Sequence, residues 1–124
     1  MENQVLSIEQ MKHLQELGIN TSKASMCWTL DCNYARRLVV HSVLSYDMTV
    51  KTAIPTFTLQ DILELLPYKI IAGFLHIGRK SFSGNLLFFM EYPDHVRFAG
   101  KSILDAAYDM LCWCIENGHI AKNE

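Results

Sequence analysis

The chain has 124 residues, half of them hydrophobic, with 11 Lys and Arg against 13 Asp and Glu for a formal charge of −2. That length suits one domain, 1–124, burying about two thirds of its unfolded surface, and the charge excludes bulk attraction to nucleic acid or an anionic membrane. No apolar run approaches the roughly 20 residues of a membrane span, and the opening MENQVLSIEQ lacks the basic and apolar regions of a signal peptide, so a cytoplasmic protein is expected.

The first predicted element is a helix over residues 8–17. Ser7 is a good N-cap, Gln10 completes a capping box, Leu6 and Met11 form a hydrophobic staple, and Gly18 stops the helix. Its stripe of Ile8, Met11, Leu14 and Leu17 is narrow, which places it at a periphery with one face wet. Met26, Trp28, Leu30 and Cys32 then alternate with Cys27, Thr29 and Asp31, the pattern of a half-buried strand. A turn over 33–36 leads to a second strand over 38–44, antiparallel to the first. Residues 45–56 show little pattern and read as a loop.

A short second helix is predicted over 59–66. Thr58 caps it with Asp61 in third position, Phe57 and Ile62 staple it, and Pro67 ends it. Leu59, Ile62, Leu63 and Leu66 are its buried stripe. Residues 68–77 are strand-like, but Gly73 signals a bend, a bulge or a tight turn that splits the run. GRKSFSGN at 78–85 has the composition of a turn or mobile loop. The run at 86–92 is almost wholly apolar, Pro93-Asp94 turns the chain, and 95–99 reads as a final edge strand.

The closing helix, 102–118, carries the strongest pattern. Ser102 caps it, and Gly118 stands where a left-handed residue is wanted. Ile103, Leu104, Ala106, Ala107, Met110, Leu111, Cys114 and Ile115 cover more than half its circumference, leaving Asp105, Asp109 and Glu116 a narrow polar face. A helix this apolar needs a sheet to cover. The order α-β-β-α-β-β-(β)-α implies an α+β domain: a mostly antiparallel sheet with helices packed on it.

Candidate chemistry is thin. The four cysteines do not present two sulfurs at one point, since Cys27 and Cys32 differ in strand parity and Cys112 and Cys114 lie about 200° apart on a helix. They read as free thiols acting as small hydrophobes. His13, His41, His76, His95 and His119 stand singly, although His41 and His76 lie in strands that are able to meet. Pairing Cys32 or Cys112 with a histidine lacks any orienting acid. Gly78 and Gly84 do not have the spacing of a phosphate loop. Asp105 and Asp109 share a helix face and read as its solvated side. No catalytic residue, metal or cofactor is assigned.

Binding is the better expectation. Arg36-Arg37 and Arg79-Lys80 fall in predicted hairpin turns, with Tyr34 and Phe82 alongside to stack on bases if both turns share one end of the sheet. Tyr108 and Trp113 border the closing helix's apolar face, and Phe88, Phe89 and Tyr92 exceed what one sheet face hides. Tyr108, Trp113, Phe88 and Tyr92 are therefore candidate anchors for a protein partner or a homodimer.

Three blocks also resemble a group of small proteins that recur in gut bacterial genomes, often in prophage or mobile-element neighbourhoods. They are IEQMKHLQELGINTSKASMCW at 8–28, IPTFTLQDILELLP at 54–67 and LDAAYDMLCWCIENG at 104–118. The resemblance implies an accessory gene and carries no activity; residues 68–100 have no part in it. The function expected is a non-enzymatic accessory protein acting by protein–protein binding. Nucleic-acid binding through the basic turns is the alternative, and a small enzyme is third.

Overall fold

The structure, a computed structural model, describes residues 4–21, 24–30, 36–40 and 54–120. It comprises α1 (Ile8–Glu16), β1 (Met26–Leu30), β2 (Arg36–Val40), β3 (Ile54–Thr56), α2 (Leu59–Leu65), β4 (Lys69–Ile70), β5 (Gly73–Phe74), β6 (His76–Phe82), β7 (Asn85–Tyr92), β8 (Val96–Gly100) and α3 (Ile103–Glu116). Among the described residues all strand pairing is antiparallel, and the fold is α+β.

The helices start and stop where local chemistry dictates. Ser7 Oγ accepts from the Gln10 N–H, and Gln10 Oε1 accepts from the Ser7 N–H. Thr58 and Asp61 repeat that reciprocal box on α2. The stapling pairs Leu6 with Met11 and Phe57 with Ile62 are all buried. Pro67 bars the preceding residue from helical geometry, and Leu66 is extended at ψ 138°. At the end of α3, Gly118 has φ +77°. The His119 N–H donates to Cys114 O and the Gly118 N–H to Ile115 O, the paired bonds of a Schellman motif.

Where one sheet was expected, the described residues form three. β1 lies between β2 and β3, β4 pairs with β5 alone, and β7 lies between β6 and β8. The predicted loop over 45–56 therefore ends in strand β3. Pro55 is tolerated there because, among the described residues, β3 is an edge strand, where a residue without an N–H is least costly. The predicted second strand begins two residues early, at Arg36, and its part beyond Val40 lies outside the described residues. The run over 68–77 is split by a tight turn between Ile70 and Gly73. GRKSFSGN is largely strand: residues up to Phe82 belong to β6, and only Ser83 and Gly84, both at positive φ, turn the chain.

The closing helix covers β7 and β8 on one side and meets α2 on the other. Its Ala106, Ala107, Met110, Leu111, Cys114 and Ile115 are completely buried. They join one apolar core with Leu6, Met11 and Leu14 around α1, Phe57 and Ile62 around α2, and Met90 and Tyr92 on β7. α1 is peripheral, with Lys12, His13, Gln15 and Glu16 exposed.

Two polar ties lock the strands to the helix entries. Leu6 O accepts both from Thr56 Oγ1 at 2.7 Å and from Trp28 Nε1 at 3.1 Å. The Leu6 N–H in turn donates to Phe57 O, so the chain entering α1 lies against the chain entering α2. Asp61, itself buried, accepts from the Thr58 N–H, the Ser25 N–H and the Ser25 hydroxyl. One carboxylate thus caps α2 and fixes the start of β1. Among the described residues no helix is long and apolar enough to cross a membrane.

Candidate protein-binding surface

Tight turns normally take glycine, asparagine or aspartate. Between β4 and β5 the chain instead turns through Ile71 and Ala72. Ile71 has φ +54°, a left-handed conformation that costs a β-branched residue about 1–2 kcal/mol. Its side chain gains nothing in return from the core, being 80% exposed. Tyr68 and Phe74 flank the turn at 78% and 55% exposure, with ring centroids 6.3 Å apart. Lys69 Nζ lies 5.4 Å from the Phe74 centroid, a cation over an aromatic face.

The hairpin is nevertheless held. Ile70, on its inner side, is buried in the core. The Leu75 N–H donates to Tyr68 O across its base, and the Tyr92 hydroxyl donates to Pro67 O just before it. Gly73 permits close contact with the β7–β8 turn, because a Cβ there would fall 3.0 Å from Pro93 O. An open hollow of about 350 Å³ follows, lined by Ile71, Phe74, His76, Pro93, Asp94 and His95. Ile77 on β6 and Leu86 on β7 are further large apolar side chains left about half exposed.

The anchors expected from the sequence have other employment. Tyr92 is fully buried, so it leaves the candidate surface; its face of β7 is the one under α3. Burial raises its phenol above the usual range, with the Cys114 thiol beside it adding to the effect. Phe88 is half-buried beneath Arg79, whose guanidinium carbon is 5.7 Å from the ring centroid. Tyr108 is half-buried against His13. Burial raises its phenol as well, and the Cys112 thiol and the charges of Asp109 and Glu116 push the same way. Trp113 stacks on His119 with centroids 5.2 Å apart. Tyr108 and Trp113 thus seal the edges of α3, whereas the most exposed large apolar side chains among the described residues are Tyr68, Ile71 and Phe74, which the sequence reading does not single out. The available signal was the run YKIIAGFLHI, which holds more apolar surface than a two-stranded piece is able to bury.

The basic residues also stand differently. Arg79 and Lys80 lie within strand β6, and Arg36 and Arg37 within strand β2, opposite Leu30 and Thr29. The two pairs belong to different sheets, so they do not share the end of one sheet as the nucleic-acid reading required. Tyr34, Cys32 and His41 lie outside the described residues. Of the remaining thiols, Cys27, Cys112 and Cys114 are free, and burial raises all three, Cys114 to about 11. Thiols so raised are poor nucleophiles at neutral pH. Among the described residues no group of three or more His, Cys, Asp or Glu is placed to hold a metal ion.

No protein-family model matches the chain, and neither does any curated protein or solved structure.

Proposed function

We propose that this chain is a non-enzymatic binding protein that meets its protein partner through the β4–β5 hairpin. One observation carries the reading: Tyr68, Ile71 and Phe74 project outward together from a turn whose conformation is costly for isoleucine. Within the isolated chain that arrangement loses on both counts, in backbone strain and in wetted apolar surface. Seated in a partner's pocket, the same side chains become the aromatic and aliphatic anchors that dominate binding energy. An accessory role of phage or mobile-element origin, implied by the resemblance of the three blocks, is compatible with this reading.

The test compares wild-type chain with Tyr68→Ser/Phe74→Ser. Both residues are exposed, so the variant should melt within a few degrees of wild type. Light scattering then separates two forms of the proposal. A dimer that the double variant abolishes makes the partner a second copy. If both are monomers, capture from a lysate of the source organism should retain a protein on wild type that the variant loses. Identical behaviour of the two chains in both measurements would sink the proposal.

A further inference from the structure

Beside that hairpin runs an unpaired sheet edge. β6 is the outer strand of its sheet, with β7 on one side and, among the described residues, nothing on the other. In an antiparallel ladder closed by a two-residue turn, the residues flanking the turn exchange hydrogen bonds, and such pairs then alternate. The turn is closed by Phe82 and Asn85, so Phe82, Lys80, Gly78 and His76 bond inward to β7. Ile77, Arg79 and Ser81 therefore aim their N–H and C=O groups outward, a row that matches an added strand.

The side chains decide which strand. β6 reads HIGRKSF and holds no acid. Arg79 and Lys80 are adjacent, so one cation stands on each face of the sheet, and both are exposed. A second copy pairing antiparallel near the strand's centre would set Arg79 against Arg79 or Lys80 against Lys80. Like charges directly opposite destabilise a pair, and basic edge residues are a usual guard against self-pairing. The acid nearest in the ladder, Glu91, lies opposite His76 and is 3.9 Å from Arg97. The edge thus rejects its own copy and favours a segment of opposite charge.

We infer that the outer edge of β6 takes an extended acidic segment of a partner protein by strand addition, with two neighbouring Asp or Glu residues opposite Arg79 and Lys80. Exposed Ile77, two residues from Arg79 on the same face, asks for an apolar residue two places from the matching acid. Main-chain bonds supply affinity in this mode and alternate side chains supply selectivity. The inference rests on the protein-binding reading above and names the chemistry of the partner.

Selection of a random seven-residue peptide display library on the immobilised full chain tests it. The enriched peptides should carry an adjacent acidic pair with an apolar residue nearby. Their affinity, read by fluorescence polarisation, should fall at least about tenfold on Arg79→Glu/Lys80→Glu and weaken with added salt. Methylation of alternate peptide nitrogens should abolish binding. Should the double variant fold poorly, the salt and N-methyl arms decide the matter on wild type. Neutral or basic winners, indifference to N-methylation or an empty selection would overturn the inference. So would DNA retention that depends on the same two cations. Peptides lost on Phe74→Ser but indifferent to charge reversal would overturn the edge alone and leave the hairpin reading standing.

Discussion

Asp109 is a side chain that works against the fold it sits in. Partial burial and the neighbouring charge of Asp105, one turn earlier, both raise its carboxyl above the usual range. The folded chain therefore holds that proton to a higher pH than the unfolded chain does. Stability from this group is present at low pH and is lost as pH rises through the window between the ordinary and the raised value. Asp109→Asn should flatten that decline and raise stability at pH 7 by a few tenths of a kcal/mol, since an exposed side chain is strongly screened. Urea titrations of both chains at pH 4 and pH 7 read the difference directly; a variant less stable than wild type at pH 7 would reverse the assignment. Gly118 offers a second single-residue check. Its φ of +77° is strained for any other residue, while a Cβ there would meet nothing within 4 Å. Gly118→Ala should thus cost about 1 kcal/mol through backbone conformation alone, and a stabilised variant would remove the cap.

Among the elements, α3 does the most to organise the rest, and Leu111 lies at its buried centre. Leu111→Ala should cost roughly 2–5 kcal/mol by lost transfer energy and a residual cavity. A denaturant midpoint implying less than about 1 kcal/mol would mean that the helix faces another way. All three helices were legible in the sequence because their signals are local: a cap, a box partner three residues on, a staple, a stop. The strands were legible only where apolar and polar residues alternate. The middle of β6, residues 78–81, is composed of residues that favour loops, and it is strand because seven successive residues of β6 find partners on β7. That pairing is set by the two-residue turn at Ser83-Gly84 and not by propensity. The same asymmetry governs the candidate surface. An apolar stripe on a helix announces its burial, but Tyr68, Ile71 and Phe74 look like core until the turn at Ile71 aims them outward. Tyr92 gives the converse case, an aromatic taken for an anchor that α3 covers completely. Exposure is a tertiary property, and composition alone does not contain it.

For the molecule as a whole, the question is whether three small sheets behave as one cooperative unit. None of them is large enough to be stable alone: a two-stranded hairpin is marginal in water, and each three-stranded sheet needs a covered face. One continuous core supplies that cover for β4–β5 and for β6–β7–β8, running from Leu6 and Met11 through Phe57 and Ile62 to α3 and Met90, and the β1–β3 sheet meets it at Ile54. The ties at Leu6 O and Asp61 bind β1 and β3 to the helix entries. Unfolding should accordingly be two-state. The chain carries its own reporters, since it has two tryptophans, Trp28 on β1 and Trp113 on α3. Trp28→Phe leaves only the α3 reporter and costs little, because Thr56 still donates to Leu6 O. Trp113→Phe leaves only the β1 reporter and gives up a stacking contact with His119. In each variant the fluorescence midpoint in urea should coincide with the midpoint from far-ultraviolet circular dichroism of that same variant. If the β1 tryptophan reported a transition well below the dichroism midpoint while the α3 tryptophan did not, the β1–β3 sheet would be a separate, weaker unit. The β4–β5 hairpin, pinned to the core through Ile70, would then project its anchors from the more stable of the two parts.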